Sequence, residues 1–130
     1  METYNAIMKT PLAKRKLCSD EILRKYPDKI PVIVDRGTKD APAIAKHKYL
    51  IDSCNELVYL IMTIRRQVLV PKEDALFFFT ESHSAIPMTM LMGNLYATYK
   101  NSDGFLYIFY TRESTFGSSE DGRLSVEYRT

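Results

Sequence analysis

The sequence predicts an α+β fold built on a four-stranded mixed sheet. Three observations carry this. Two short strand patterns, Lys29–Arg36 and Lys48–Asp52, lie close enough to pair across one loop. The clearest amphipathic helix follows them at once, with Leu57, Leu60, Ile61, Ile64 and Val68 at helical spacing. A run of six apolar or aromatic residues, Phe105–Tyr110, has the pattern of a strand buried on both faces, which belongs at the middle of a sheet.

Taken in order, Thr10-Pro11 opens a helix that runs to about Lys25. Thr can cap, and Pro suits the first helical position because its missing N–H would be unpaired there. Pro27 ends the helix, since the residue before a proline is pushed out of helical geometry. Leu12, Leu17, Ile22 and Leu23 form no wide stripe, so this helix is expected to lie on the surface of the core. Val32, Ile33 and Val34 make 29–36 a strand. Pro31 within it implies either a sheet edge or a strand start, because proline cannot donate to the ladder. Residues 37–45 are a loop, and 48–52 the partner strand.

Ser53-Cys54-Asn55-Glu56 has capping-box spacing before the amphipathic helix. That helix stops before Pro71. Residues 75–80 form a short all-apolar strand, and 81–87 a loop. Met88, Leu91, Met92, Leu95 and Tyr99 again recur at helical spacing and predict a second short helix. Asn101-Ser102-Asp103-Gly104 is a turn into the last strand. A hairpin, a crossover helix and further strands in this order are consistent with a ubiquitin-like β-grasp. After Phe116-Gly117 the composition turns polar, and 118–130 reads as a flexible tail.

Composition narrows the function. The chain has 130 residues, 45% hydrophobic and 26% charged, which suits one globular domain. Eighteen basic against sixteen acidic residues leave a net charge of +2, too balanced to imply nucleic-acid binding. The apolar run Leu57–Met62 is far short of the roughly 20 residues of a membrane span. Glu2 and the absence of an early apolar stretch argue against a secretory signal. Two cysteines are too few for a disulfide scaffold and suit a reducing compartment. The basic stretch Lys9–Lys29 is either a solvated helix face or a surface for acidic partners or lipid headgroups.

Catalytic patterns are missing. Cys18, Cys54, His47 and His83 are scattered, without the close pairing of metal ligands, so no metal or cofactor is expected. There is no phosphate loop and no nucleophile elbow. Asp20-Glu21 and Glu73-Asp74 are adjacent in sequence and do not face one another as an acid–base pair would. The features that remain belong to a binding module. Lys48-Tyr49-Leu50-Ile51 could accept an added peptide strand if it lies at a sheet edge.

Four stretches resemble the autophagy ubiquitin-like modifiers, the GABARAP and light-chain-3 family. They are Arg24 to Val34, Lys48 to Ile51, Glu73 to Phe79, and Asp103 to Ile108 continuing at Glu113 to Gly117. They stand in the family's order and cover about 11–117. The resemblance implies a β-grasp core with two additional N-terminal helices. It implies a helical extension at 1–27, a core at 28–117 and a tail at 118–130 that is removed on maturation. It implies that a processing cysteine protease cuts after Gly117, which follows Phe116. Ubiquitin-like activating and conjugating enzymes would then join the Gly117 carboxylate to the amine of phosphatidylethanolamine. A cytoplasmic protein would become an autophagosome-membrane protein with no catalysis of its own. Glycine suits the scissile position because it threads a narrow channel and presents an unhindered carbonyl. Two acyl chains anchor stably where one does not.

The resemblance also implies a groove for aromatic-x-x-aliphatic peptides. Ile22, Pro31, Lys48, Leu50 and Phe105 match its first pocket, and Tyr49, Ile51 and Leu60 its second. Lys46 and Arg65, with Lys48, would steer acidic peptides. Cys18 stands where the family often has an acid. Asp52, Asn55 and Thr63 replace proline or aliphatic residues, so the second pocket is expected to be more polar. The alternative function is a non-conjugated adaptor in trafficking or cytoskeletal attachment that uses the same groove and keeps its tail.

Overall fold

The β-branched run of the first strand and the apolar run of the last become neighbours at the middle of one sheet. The computed structural model describes residues 1–68 and 75–112. The readings of Glu73, Asp74, Phe116, Gly117 and the segment 118–130 lie outside the described residues. The elements are α1 (Glu2–Met8), α2 (Leu12–Lys25), β1 (Lys29–Arg36), β2 (Lys48–Asp52), α3 (Leu57–Gln67), β3 (Leu76–Thr80), α4 (Met92–Tyr99) and β4 (Leu106–Arg112). Strand order is β2-β1-β4-β3. β1 pairs antiparallel with β2 and parallel with β4, and β3 pairs antiparallel with β4. The sheet is therefore mixed, and β4 is central, as its uniform hydrophobicity predicts.

Helices cover both faces. On one, Leu57, Leu60, Ile61 and Ile64 of α3 and Met92 and Leu95 of α4 pack against Val32, Val34, Leu106, Ile108 and Tyr110. On the other, Ile33, Phe79, Phe105, Tyr107 and Phe109 meet Met1, Tyr4, Ile7 and Met8 of the α1 region and Ile22 of α2. Tyr4 sets its ring edge-on to Tyr107 and Phe109, at 5.2 and 5.0 Å. α2 buries only Ser19 fully, in keeping with its narrow apolar stripe.

Pro31 is not at an edge. β1 lies between β2 and β4. The Val34 N–H bonds the His47 carbonyl and the Ser53 N–H bonds the Asp28 carbonyl. In the register Val32↔Tyr49, bonds from β1 to β2 thus fall on even-numbered residues, so Pro31 owes none there. Pairing with β4 begins only at Val32. Proline sits where neither neighbour needs its N–H.

Three other local expectations give way to tertiary contacts. Thr10 does not cap α2; Pro11 is the cap residue, and its carbonyl accepts from Lys14 and Arg15. The Ser53–Glu56 box does not form, and Glu56 is the cap residue of α3 with no side-chain bond. Instead the Met90 and Met88 carbonyls accept the Leu57 and Val58 N–H groups, each at 2.9 Å. Met88 and Leu91 therefore precede α4 rather than belong to it. A side-chain cap contributes roughly 1 kcal/mol, whereas each buried α3 side chain contributes roughly 1.5–3 kcal/mol. Burial decides where the helix lies, and the 88–90 segment satisfies its end.

Candidate peptide-binding edge

β2 is an edge strand of the sheet, and its side chains alternate. Lys48, Leu50 and Asp52 are exposed, while Tyr49 and Ile51 are buried. The exposed set shares its face with Pro31 and Ile33, their register partners, beneath α2. Ile22, Pro31, Lys48, Leu50 and Phe105 all line one cleft of about 360 Å³ between α2 and β2. Lys46, Cys18 and Tyr26 line it as well. Tyr26 was not foreseen; its place one turn after Ile22, at the close of α2, was the available signal.

Tyr49, Ile51 and Leu60 come together on the opposite face, in the core against α3. They are 6%, 5% and 0% exposed, so this side of the strand is closed. The Tyr49 hydroxyl donates to the Lys46 carbonyl at 2.9 Å and receives the Gln67 amide at 2.5 Å. That clasp ties the end of α3 to the start of β2. Lys46 Nζ lies 5.0 Å from the Tyr49 ring centroid. Arg65 is half-buried on α3, away from the cleft under α2. Asp52 is exposed and pairs with Lys29 at 3.5 Å.

The cleft's two walls are joined by one buried carboxylate. Asp103, 0% exposed, accepts from Arg15 Nε at 3.0 Å, the Phe105 N–H at 2.9 Å and the Tyr107 hydroxyl at 2.5 Å. Its backbone carbonyl accepts from the Ser19 hydroxyl at 2.5 Å. Arg15 and Ser19 flank Cys18 on α2, and Phe105 leads into β4, so Asp103 sets their separation. Gly104 completes the joint. It has φ +89°, and a Cβ there would stand 2.2 Å from Ser19 Oγ. Only glycine fits that approach.

α1 is held by a second set of contacts. The Tyr4 N–H donates to Asp35 Oδ2 at 2.8 Å, and its hydroxyl to Glu81 Oε2 at 2.6 Å. Burial first, then Glu81, pushes the Tyr4 hydroxyl up to about 12. Burial and then Asp103 raise Tyr107 further, and burial raises Tyr110. Each keeps its proton in the folded chain where an unfolded tyrosine, at about 10, loses it. This contribution to stability is complete below about pH 10 and is lost as pH rises through the folded values. Thermal melts followed by circular dichroism should therefore show Tm falling above about pH 10. Tyr4→Phe should fall less steeply, and an equal slope would contradict the role given to Tyr4.

A family model described as autophagy protein Atg8, ubiquitin like, matches residues 14–117. The chain belongs to the Atg8 family. It is 40% identical over 118 residues to autophagy-related protein 8 of Kluyveromyces lactis, covering 90% of this chain and 93% of that one. It is 39% identical over 109 residues to autophagy-related protein 8a of Arabidopsis thaliana, covering 83% and 88%. The crystal structure of Trypanosoma brucei ATG8 superposes with a TM-score of 0.75 at 29% identity, covering 85% of this chain and 95% of that one. The four-stranded mixed sheet with its helices is thus the ubiquitin-like fold of Atg8 proteins. Among the described residues, no helix is long and apolar enough to cross a membrane.

Proposed function

We propose that this Atg8-family protein is a modifier in autophagosome formation, cleaved after Gly117 and joined there to phosphatidylethanolamine. It recruits cargo receptors or adaptors through the edge of β2. The bond cut is the peptide bond between Gly117 and Ser118; the bond formed is an amide between the Gly117 carboxyl and the lipid amine. The protease and the activating and conjugating enzymes act on this chain, which supplies the substrate carboxylate and no catalysis. The family match reaches residue 117, in support of that boundary.

One observation carries the recruiting function. Apolar residues flank the β2 edge on both faces, Leu50 with Ile22 and Phe105 on one, Tyr49 and Ile51 with Leu60 on the other. In an added extended strand, residues three apart point to opposite faces. An aromatic-x-x-aliphatic peptide paired with β2 would aim its aromatic anchor at the open cleft beside Leu50 and its aliphatic anchor at the other face, where Tyr49, Ile51 and Leu60 are closed in the free chain and must part to admit it. Backbone pairing supplies affinity and the pockets supply selection. Each anchor contributes roughly 1.5–3 kcal/mol, which with strand pairing fits micromolar binding, about 8 kcal/mol.

The test of conjugation is the intact mass of the protein from its own cells, in soluble and membrane fractions. A membrane species ending at Gly117 with a phosphatidylethanolamine adduct is expected. Gly117→Ala should stay folded and yield no such species; a lipidated Ala variant would sink the assignment. The second reading is a non-conjugated adaptor in trafficking or cytoskeletal attachment, which the cleft lined by Ile22, Pro31, Lys48, Leu50 and Phe105 would serve equally. A chain ending at Thr130 in every fraction, starvation included, would establish that reading instead.

A further inference from the structure

The open edge of β2 has room for one more strand. In the register of β1 and β2, the N–H groups of Tyr49 and Ile51 serve β1, so those of Lys48 and Leu50 point outward. The side chains of Lys48 and Leu50 border the cleft under α2, whereas those of Tyr49 and Ile51 are sealed in the core. In the free chain, a strand added here finds apolar surface on one face alone. Among the described residues, Lys46 and Lys48 line that cleft and no carboxylate does.

The chain itself carries a segment with the matching pattern. Leu124, Val126 and Tyr128 alternate with Ser125, Glu127 and Arg129. Such alternation is the period of a strand that buries one face, and Val and Tyr favour strands. The acids Glu120 and Asp121 come just before it. We infer that residues 124–128 add to the free edge of β2 as a parallel strand, with Leu124, Val126 and Tyr128 over the Leu50 face. Reach, charge and face carry this. β4 ends at Arg112, and through the register Lys48↔Ile33↔Tyr107 that end lies five residues (112 − 107) past the level of Lys48, about 17 Å. The added strand is three strand spacings from β4, about 14 Å. The direct path is thus about 22 Å, and residues 113–123 can span up to about 36 Å. The segment arrives at the Lys48 end and runs parallel to β2, which brings Glu120 and Asp121 past Lys46 and Lys48. An aromatic-x-x-aliphatic ligand needs the sealed face to part, whereas this one-faced strand does not. The docked segment fills the cleft that Leu50 borders, so removal of 118–130 opens it to partners. That consequence rests on the peptide-groove reading; the docking itself does not.

Amide hydrogen exchange on the full chain, read by NMR, tests the docking, and calorimetry tests its consequence. Ser125→Pro removes a ladder donor, because in parallel pairing the residues between the apolar ones turn their N–H groups to β2. Leu124→Ser combined with Tyr128→Ser removes the apolar face instead. Each variant should speed exchange of the Leu50 amide about tenfold, as expected for a strand docked about nine-tenths of the time. Each should also bind an Asp-Asp-Trp-Ala-Ala-Leu peptide about tenfold more tightly than the unaltered chain, a gain of about 1.4 kcal/mol. Equal Leu50 exchange and equal peptide affinity in all three chains would overturn the docked strand and leave the groove reading standing. Faster exchange in the variants with no peptide binding by any chain would uphold the strand and overturn the groove reading. Protection of Leu50 that fades on dilution would place the segment on a second copy and overturn the contact within one chain.

Discussion

Leu50→Asp will lower the affinity for an aromatic-x-x-aliphatic peptide by at least about a hundredfold, about 2.7 kcal/mol. Leu50 is 37% exposed at the free edge, so the aspartate can stay in water and the fold survives. In the complex the peptide's aromatic residue must cover that position. The variant loses the apolar contact, roughly 1.5–3 kcal/mol, and must also desolvate an unpaired carboxylate, several kcal/mol more. Lys48 and Lys46 line the same cleft and offset part of that cost by attraction. Leu50→Ala separates the two effects and should cost only the contact. Calorimetry against one peptide, with a thermal melt as control, reads both. Unchanged affinity in Leu50→Asp would remove the first pocket from this edge.

Asp103→Ala will lower stability by about 3–5 kcal/mol, the usual consequence of removing one partner from a buried ion pair. The carboxylate serves Arg15, Phe105 and Tyr107 together, and the Ser19 bond beside it depends on the same turn. Arg15 would be left with a side chain only 13% exposed and without its carboxylate partner. Urea denaturation of the full chain measures the loss. Asp103→Asn should lose less, because the amide oxygen still accepts one bond. If Asp103→Ala unfolds with the wild-type midpoint, the turn at 101–104 is not what fastens α2 to the sheet.

The contrast between Leu50 and Asp103 marks the limit of sequence reading here. The alternation along Lys48–Asp52 and the six-residue run at 105–110 are periodic and local, so the strands and their faces could be read directly. The same holds for α3, whose Leu57, Leu60, Ile61 and Ile64 are all buried as the spacing predicts. Asp103 read only as part of a turn. Its partners are Arg15 and Ser19, more than eighty residues away, and no local pattern links them. α1 was legible in principle, since Met1, Tyr4 and Ile7 or Met8 recur at helical spacing. Seven residues make only two turns, too short to be stable alone, so the pattern carried little weight without the sheet beneath it.

The fold class, the strands and the amphipathic helix are legible in the amino-acid sequence alone. Hydrophobic periodicity within ten or so residues encodes these, and the quoted motifs carry the family. Only the tertiary structure decided that Pro31 lies inside the sheet, that 88–90 replaces the expected cap of α3, and that Tyr49, Ile51 and Leu60 are sealed. It alone joined α2 to β4 through Asp103. Each of these depends on which distant segment satisfies a given backbone group, charge or face. That is settled when the layers close on one another.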